Sequence, residues 1–131
     1  MQMVNGGIYL YEPPTAADPG GTAALAQSGS EQAGLRPYIV VTRNSLNVAS
    51  RPMVIGVPMT SRTNKANSYR IFLPESELIP DEGCDPFVDS VALCDHVRVI
   101  DKAQIHKKVG NLTENARHAV GLGLAYVLDL P

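Results

Sequence analysis

The run "RPYIVVTRNSLNVASRPMVIGVPMTSR", residues 36–62, carries the chain's clearest strand signals. Two apolar, β-branched stretches flank a polar middle. "RPYIVVTR", residues 36–43, reads as a strand. Pro37 cannot donate to a ladder, so it marks where that strand begins. "NSLNVAS", residues 44–50, reads as a short helical turn capped by Asn44. "PMVIGVPMT", residues 52–60, is a second strand whose nearly unbroken apolar run implies burial on both faces. Strands joined this briefly usually lie side by side, which would bring residues 36 and 60 to one end of the pair.

The pattern continues on both sides. "GGIYLYE" (6–12) is a strand before this pair. "SYRIFLP" (68–74) and "DSVALCDHVRVID" (89–101) are strands after it. "DKAQIHK" (101–107) is a helical turn, and "KKVGNL" (107–112) is a short last strand. "TENARHAVGLGLAYVLDL" (113–130) is a helix with Thr113 as N-cap and Glu114 in the favoured first turn. Ala116, Val120, Leu124 and Val127 give it an apolar stripe. Gly121 and Gly123 each cost such a helix about 1 kcal/mol relative to Ala. Residues 13–30, "PPTAADPGGTAALAQSGS", lack the large apolar groups of a core and read as a flexible loop between the first two strands, of the kind that often forms a lid or binding loop. Sequential strands with short connections and one terminal helix predict a single α+β domain over 1–131, built on a small antiparallel barrel-like sheet.

Composition bounds the function. The chain has 131 residues, is 44% hydrophobic and contains no Trp, which fits a core of Val, Ile, Leu and Ala. Its apolar runs are too short to span a bilayer, and the N-terminus lacks a signal-peptide pattern, so a cytoplasmic protein is expected. Cys84 and Cys94 fit no CxxC motif and read as reduced thiols, Cys94 as a small buried residue. The net charge of −2 argues against a nucleic-acid partner. Its distribution does not. Arg36 to Arg70 holds six basic residues and no Asp or Glu, whereas Ile71 to Asp95 holds seven acidic residues and no Lys or Arg. A basic third beside an acidic third can form a local phosphate-binding face, or simply two solvated faces that neutralise each other.

Glycine-rich phosphate loops, metal-ligand spacings among His96, His106 and His118, and nucleophile elbows are all absent from the sequence. What remains is a polar cluster at strand ends. Arg36 opens one strand, Thr60 closes its neighbour, and Glu31 lies on the approach to Arg36. A carboxylate, a guanidinium and a hydroxyl suit cleavage of a phosphodiester. The carboxylate takes a proton from the attacking hydroxyl, Arg pairs with the phosphate, and Thr holds a phosphate oxygen. If the attacker is the 2′-hydroxyl of RNA, neither a metal nor a covalent enzyme intermediate is needed. Taken singly, the same residues also read as a solvated or salt-bridged Arg at a strand start, a turn Thr and an exposed loop Glu.

The cluster lies in "GSEQAGLRPYIVV" (29–41), which resembles the signature of MazF/PemK-like toxins, the ribonuclease halves of bacterial type II toxin–antitoxin modules. "GGIYLYEPPT" (6–15), "VPMTSR" (57–62) and "VDSVALCDHVRVIDKAQIHKKVGNLT" (88–113) continue the resemblance, and the terminal helix follows in place. The resemblance implies a small SH3-like antiparallel β-barrel with a C-terminal helix, a homodimer, and metal- and cofactor-independent, sequence-selective cleavage of single-stranded RNA, mostly mRNA. Products would carry a 2′,3′-cyclic phosphate and a 5′-hydroxyl. Carried over, Arg36 is the phosphate stabiliser and a candidate proton donor to the leaving oxygen. Thr60 is the second catalytic residue and Glu31 the candidate general base. Gln32, Ser61 and Arg62 are candidate RNA contacts. The implied protein partner is a MazE/PemI-like antitoxin whose acidic or amphipathic tail lies across the RNA groove.

Two departures stand out. Some plasmid-type members use an Arg and an Asp in the segment that here reads "LCDHV", but Leu93 stands at the Arg position and only Asp95 is kept. The first loop is also long, with "AADPGGTAALAQ" at 16–27. Two other functions share this fold expectation. One is a gyrase poison like the CcdB-like toxins, which would inhibit gyrase without cutting RNA. The other is a catalytically silent interaction module. Arg36 and Thr60 match the nuclease pattern and disfavour the first; retention of all three polar positions, Glu31 among them, argues against the second.

Overall fold

The computed structural model describes residues 3–12 and 34–131. The loop expected over 13–30, and with it Glu31 and Gln32, lies outside the described residues. Among those described, eight strands form one curled antiparallel sheet: β1 (Gly7–Tyr11), β2 (Arg36–Val40), β3 (Met53–Thr60), β4 (Arg70–Leu73), β5 (Leu78–Pro80), β6 (Ser90–Leu93), β7 (Arg98–Asp101) and β8 (Ile105–Leu112). A helix, α1 (Glu114–Leu128), follows. The strand order is β4-β6-β3-β2-β1-β8-β5, and β7 also pairs with β3. The expected small SH3-like α+β barrel with a C-terminal helix is what forms.

β3 is the pivot of the sheet. One side pairs with β2 through Tyr38↔Pro58, Ile39↔Val57 and Val40↔Gly56. The other side pairs first with β7, from Met53↔Asp101 to Gly56↔Arg98, and then with β6, through Met59↔Ala92 and Thr60↔Val91. Pro58, which lacks an N–H, falls where β3 changes partner, so no continuous ladder is broken there. Burial on both faces holds from Gly56 to Thr60 only. Met53 and Ile55 are exposed, because the β3–β7 half of the sheet packs on one face and leaves Ile55 opposite exposed Val99.

Period-two alternation sends side chains into two cores, one on each face of the sheet. Ile8, Ile39, Val57, Met59, Leu73, Ala92 and Cys94 pack beneath α1 with Ala116 and Val120. Tyr9, Tyr11, Tyr38, Val40, Val54 and Ile100 fill the opposite side.

Thr113 caps α1, its Oγ1 accepting from the Ala116 N–H at 3.2 Å, while its hydroxyl donates to Glu77. Ala116 and Val120 are buried, and Leu124 and Val127 pack partly against the same core. Asn44 does not cap its turn: the 3-10 turn Asn44–Leu46 has no side-chain cap, and Asn44 Oδ1 instead accepts from the Asn5 N–H at 2.7 Å. The strand expected over 89–101 is two strands, broken by a 3-10 turn at Cys94–His96. The helical turn expected over 101–107 is the 3-10 turn Lys102–Gln104, and β8 therefore starts earlier than the strand expected at 107. β5 was not anticipated at all. No described helix is long and apolar enough to cross a membrane. Both cysteines are free thiols and Cys94 is buried, as expected.

Candidate active site

β2 and β3 are neighbours, and their register runs toward the end where Arg36 and Thr60 sit. Alternation puts Arg36 on the same face as Tyr38 and Val40, and the β1–β2 register sets Tyr11 directly opposite it. Its Nη2 donates to the Met59 carbonyl at 3.2 Å, so the guanidinium reaches across to the residue preceding Thr60. The sequence therefore brought these two residues together correctly. It did not anticipate their burial. Arg36 is 0% exposed and Thr60 4% exposed. A solvated Arg at a strand start is thus excluded, since a buried guanidinium is tolerated only where it is well partnered. Thr60 Oγ1 accepts from the Arg62 N–H at 3.2 Å, which ties the strand end to the following turn. Ser61 and Arg62, the candidate RNA contacts, are exposed just beyond it.

A second polar group completes this face. Arg70 on β4 pairs bidentately with Asp95: Nε donates to Oδ1 at 3.0 Å and Nη2 to Oδ2 at 2.7 Å. His96 Nε2 lies 3.5 Å from Arg70 Nη2 and 3.8 Å from Asp95 Oδ2. These side chains are about a quarter exposed, in contrast to the buried Arg36 and Thr60. Burial alone would raise the Asp95 carboxyl; the Arg70 hydrogen bonds and charge outweigh it and hold the group below the usual carboxylate value. His96 is pushed below the ordinary histidine value, by burial first. Asp95 opposes that shift, and the cations Arg70, Arg36 and Lys65 reinforce it. Arg36, Lys65, Arg70, Asp95 and His96 therefore share one electrostatic environment, drawn from β2, β4 and two turns.

The turn that carries Asp95 and His96 is braced from behind. A Cβ at Gly123 of α1 would lie 2.8 Å from Cys94 Sγ and 2.8 Å from Ile71 Cγ1, so only glycine lets the helix seat this closely. Cys94, 0% exposed, has its thiol raised to about 12 by burial and then by the neighbouring Asp95, which keeps it an inert packing group.

A sheet curled in this way, with a buried Arg–Thr pair at one strand end, is the setting in which a family model matches residues 22–128, described as PemK-like, MazF-like toxin of type II toxin–antitoxin system. The chain belongs to that family. Among solved structures, a MazF from Deinococcus radiodurans is similar at a TM-score of 0.67 and 22% identity, covering 99% of each chain. A MazE–MazF structure from the same organism matches at a TM-score of 0.67 and 17% identity, over 100% of this chain and 99% of that one. An endoribonuclease in complex with its cognate antitoxin, from a mycobacterial species, matches at a TM-score of 0.58 and 17% identity, over 99% of this chain and 96% of that one. These likenesses are of fold.

For a PemK-like, MazF-like chain, the missing Arg at Leu93 has a structural counterpart. Arg70 lies directly opposite Leu93 in the β4–β6 register and places a guanidinium on Asp95 from the neighbouring strand. No local spacing signals this, because Arg70 and Asp95 stand 25 residues apart. The one trace in the sequence is that Arg70 ends the basic third and Asp95 ends the acidic third.

Proposed function

We propose that this chain is the RNA-cleaving toxin of a type II toxin–antitoxin module. The observation that carries the reading is the buried Arg36 guanidinium on the Met59 carbonyl, one residue from Thr60, in a chain of this family. The substrate is single-stranded RNA, mostly mRNA. Its 2′-hydroxyl loses a proton to Glu31, and O2′ forms a bond to the adjacent phosphorus. Arg36 and Thr60 stabilise the charge on the phosphoryl oxygens. The bond from phosphorus to O5′ breaks, and O5′ takes a proton from Arg36. Solvent then carries the proton held by Glu31 back to Arg36, so the net reaction moves one proton from O2′ to O5′. A 2′,3′-cyclic phosphate and a 5′-hydroxyl result, without metal. Gln32, Ser61 and Arg62 contact the RNA. Because Arg36 is fully buried, productive binding requires that it become accessible to the phosphate.

The chain acts as a homodimer, to which exposed Ile55 and Val99, directly opposite each other on β3 and β7, offer apolar surface. A MazE/PemI-like antitoxin neutralises it by laying an acidic tail along the basic side of the site, where a peptide carboxylate substitutes for a phosphate. The test is cleavage of a long natural RNA by purified protein in EDTA, with the product ends identified. Cyclic-phosphate ends support the reading. Inhibition of DNA gyrase with intact RNA would replace it with the gyrase-poison alternative.

A further inference from the structure

We propose that the exposed ring of Phe72 is a nucleobase platform, stacking one base of the single-stranded RNA whose phosphodiester is held at Arg36 and Thr60. The proposal rests on the RNA-cleaving reading and adds to it a base-binding subsite.

Thr60 pairs with Val91, and Val91 pairs with Phe72. Directly opposed residues of an antiparallel ladder point to the same face. Thr60, Val91 and Phe72 are therefore one row across β3, β6 and β4, and Phe72 stands two strand spacings, about 10 Å, from Thr60. Alternation along β4 agrees. Ile71 and Leu73 turn toward the core beneath α1, so Arg70 and Phe72 share the opposite face. That face is the one carrying the Arg70–Asp95 pair and His96.

A single exposed apolar residue is ordinary. Phe72 is set apart by its place. Phe72 is 45% exposed, at the open end of a row whose other end is the buried Thr60. Phe87, the only other Phe in the chain, packs against the core. Single-stranded nucleic acid is held by cations that follow the backbone and by aromatic faces that take the bases. Arg70 lies two residues from Phe72 on the same face, and Lys65 belongs to the same cationic group. The acidic Asp89 lies past Leu73, where its Oδ1 accepts from the Glu75 N–H at 2.9 Å. Glu75 and Asp89 repel a phosphate and bound the subsite on that side, so the RNA backbone runs toward Arg70 and the base turns onto Phe72.

The chain has no Trp, so Phe72→Trp introduces a single indole reporter at the subsite. Its fluorescence is titrated with an uncleavable 2′-O-methyl oligonucleotide and with an abasic backbone of the same length. Quenching by the first and not the second is expected. In cleavage assays, Phe72→Ala raises KM by roughly five- to 150-fold and lowers kcat much less. Phe72→Leu, which keeps an apolar side chain on the strand, shows the same KM increase with an unchanged melting transition. Equal quenching by both oligonucleotides, or wild-type KM in Phe72→Leu, overturns the subsite while leaving RNA cleavage standing. A wild-type protein that does not cut RNA removes the underlying reading, and the subsite with it.

Discussion

Two glycines in one helix give a quantitative test of how the site is braced. Gly121 and Gly123 lie in the same part of α1, but Gly121 is exposed and Gly123 buried. A Cβ added at Gly121 meets nothing within 4 Å. One added at Gly123 meets Cys94 Sγ and Ile71 Cγ1 at 2.8 Å, and Ile71 Cδ1 at 3.1 Å. Ala in place of Gly gains about 1 kcal/mol of helix propensity at either position. Gly121→Ala therefore stabilises the fold by about 1 kcal/mol, or about 3–5 °C in Tm for a domain of this size. Gly123→Ala has the same gain but adds an overpacking cost of about 1–3 kcal/mol. Propensity cancels between the two variants, so their difference reports the contact alone and should be about 1–3 kcal/mol in favour of Gly121→Ala. Urea unfolding of both variants beside wild type measures it. Because Ile71 adjoins Arg70, and Cys94 begins the turn bearing Asp95 and His96, Gly123→Ala should also slow RNA cleavage, while Gly121→Ala should not. If Gly123→Ala stabilises as much as Gly121→Ala, the close seating of α1 on this turn is wrong.

Thr113→Ala removes the Oγ1 that accepts from the Ala116 N–H and should cost about 1 kcal/mol in the same unfolding assay. The Cys94 thiol is raised from 9.0 to about 12, so the folded state holds its proton more tightly than the unfolded state. Its contribution is complete below the unfolded value and is lost as pH rises toward about 12; Cys94→Ala should flatten that alkaline decline. Native protein at pH 8 should accordingly label at Cys84 before Cys94 with a thiol reagent. Asp95 is held below its ordinary value of 3.8, so its contribution is present above that value and is lost as pH falls through the folded pKa. Asp95→Asn should remove that part of the acid slope, seen as Tm against pH.

The strand pair over residues 36–62 was legible because a long apolar run, a fixed strand start at Pro37 and a short connection leave few alternatives. Thr113 was legible because N-cap chemistry is local. β5 was not, since three residues ending in Pro80, beside an acidic stretch, carry no pattern until β8 pairs with them. The break at Cys94–His96 was hidden because Asp95 reads as an outward strand residue; what bends the chain there is β3 exchanging one partner for another. Arg36 and Thr60 were found as site candidates, but their burial depends on tertiary packing, which spacing does not encode. The Arg70–Asp95–His96 group is likewise tertiary, joined through a register that no single segment reveals.

If the buried Arg36–Thr60 pair cuts RNA, both side chains are needed for the chemical step. The most direct measurement is the single-turnover cleavage rate of one RNA oligonucleotide in EDTA, for wild type, Arg36→Lys and Thr60→Val, with a thermal melt of each. Cooperative melts are expected for all three, with rates at least about 10²-fold lower in both variants, the usual loss when a transition-state donor is removed. Wild-type rates in either well-folded variant would contradict a catalytic role for the pair.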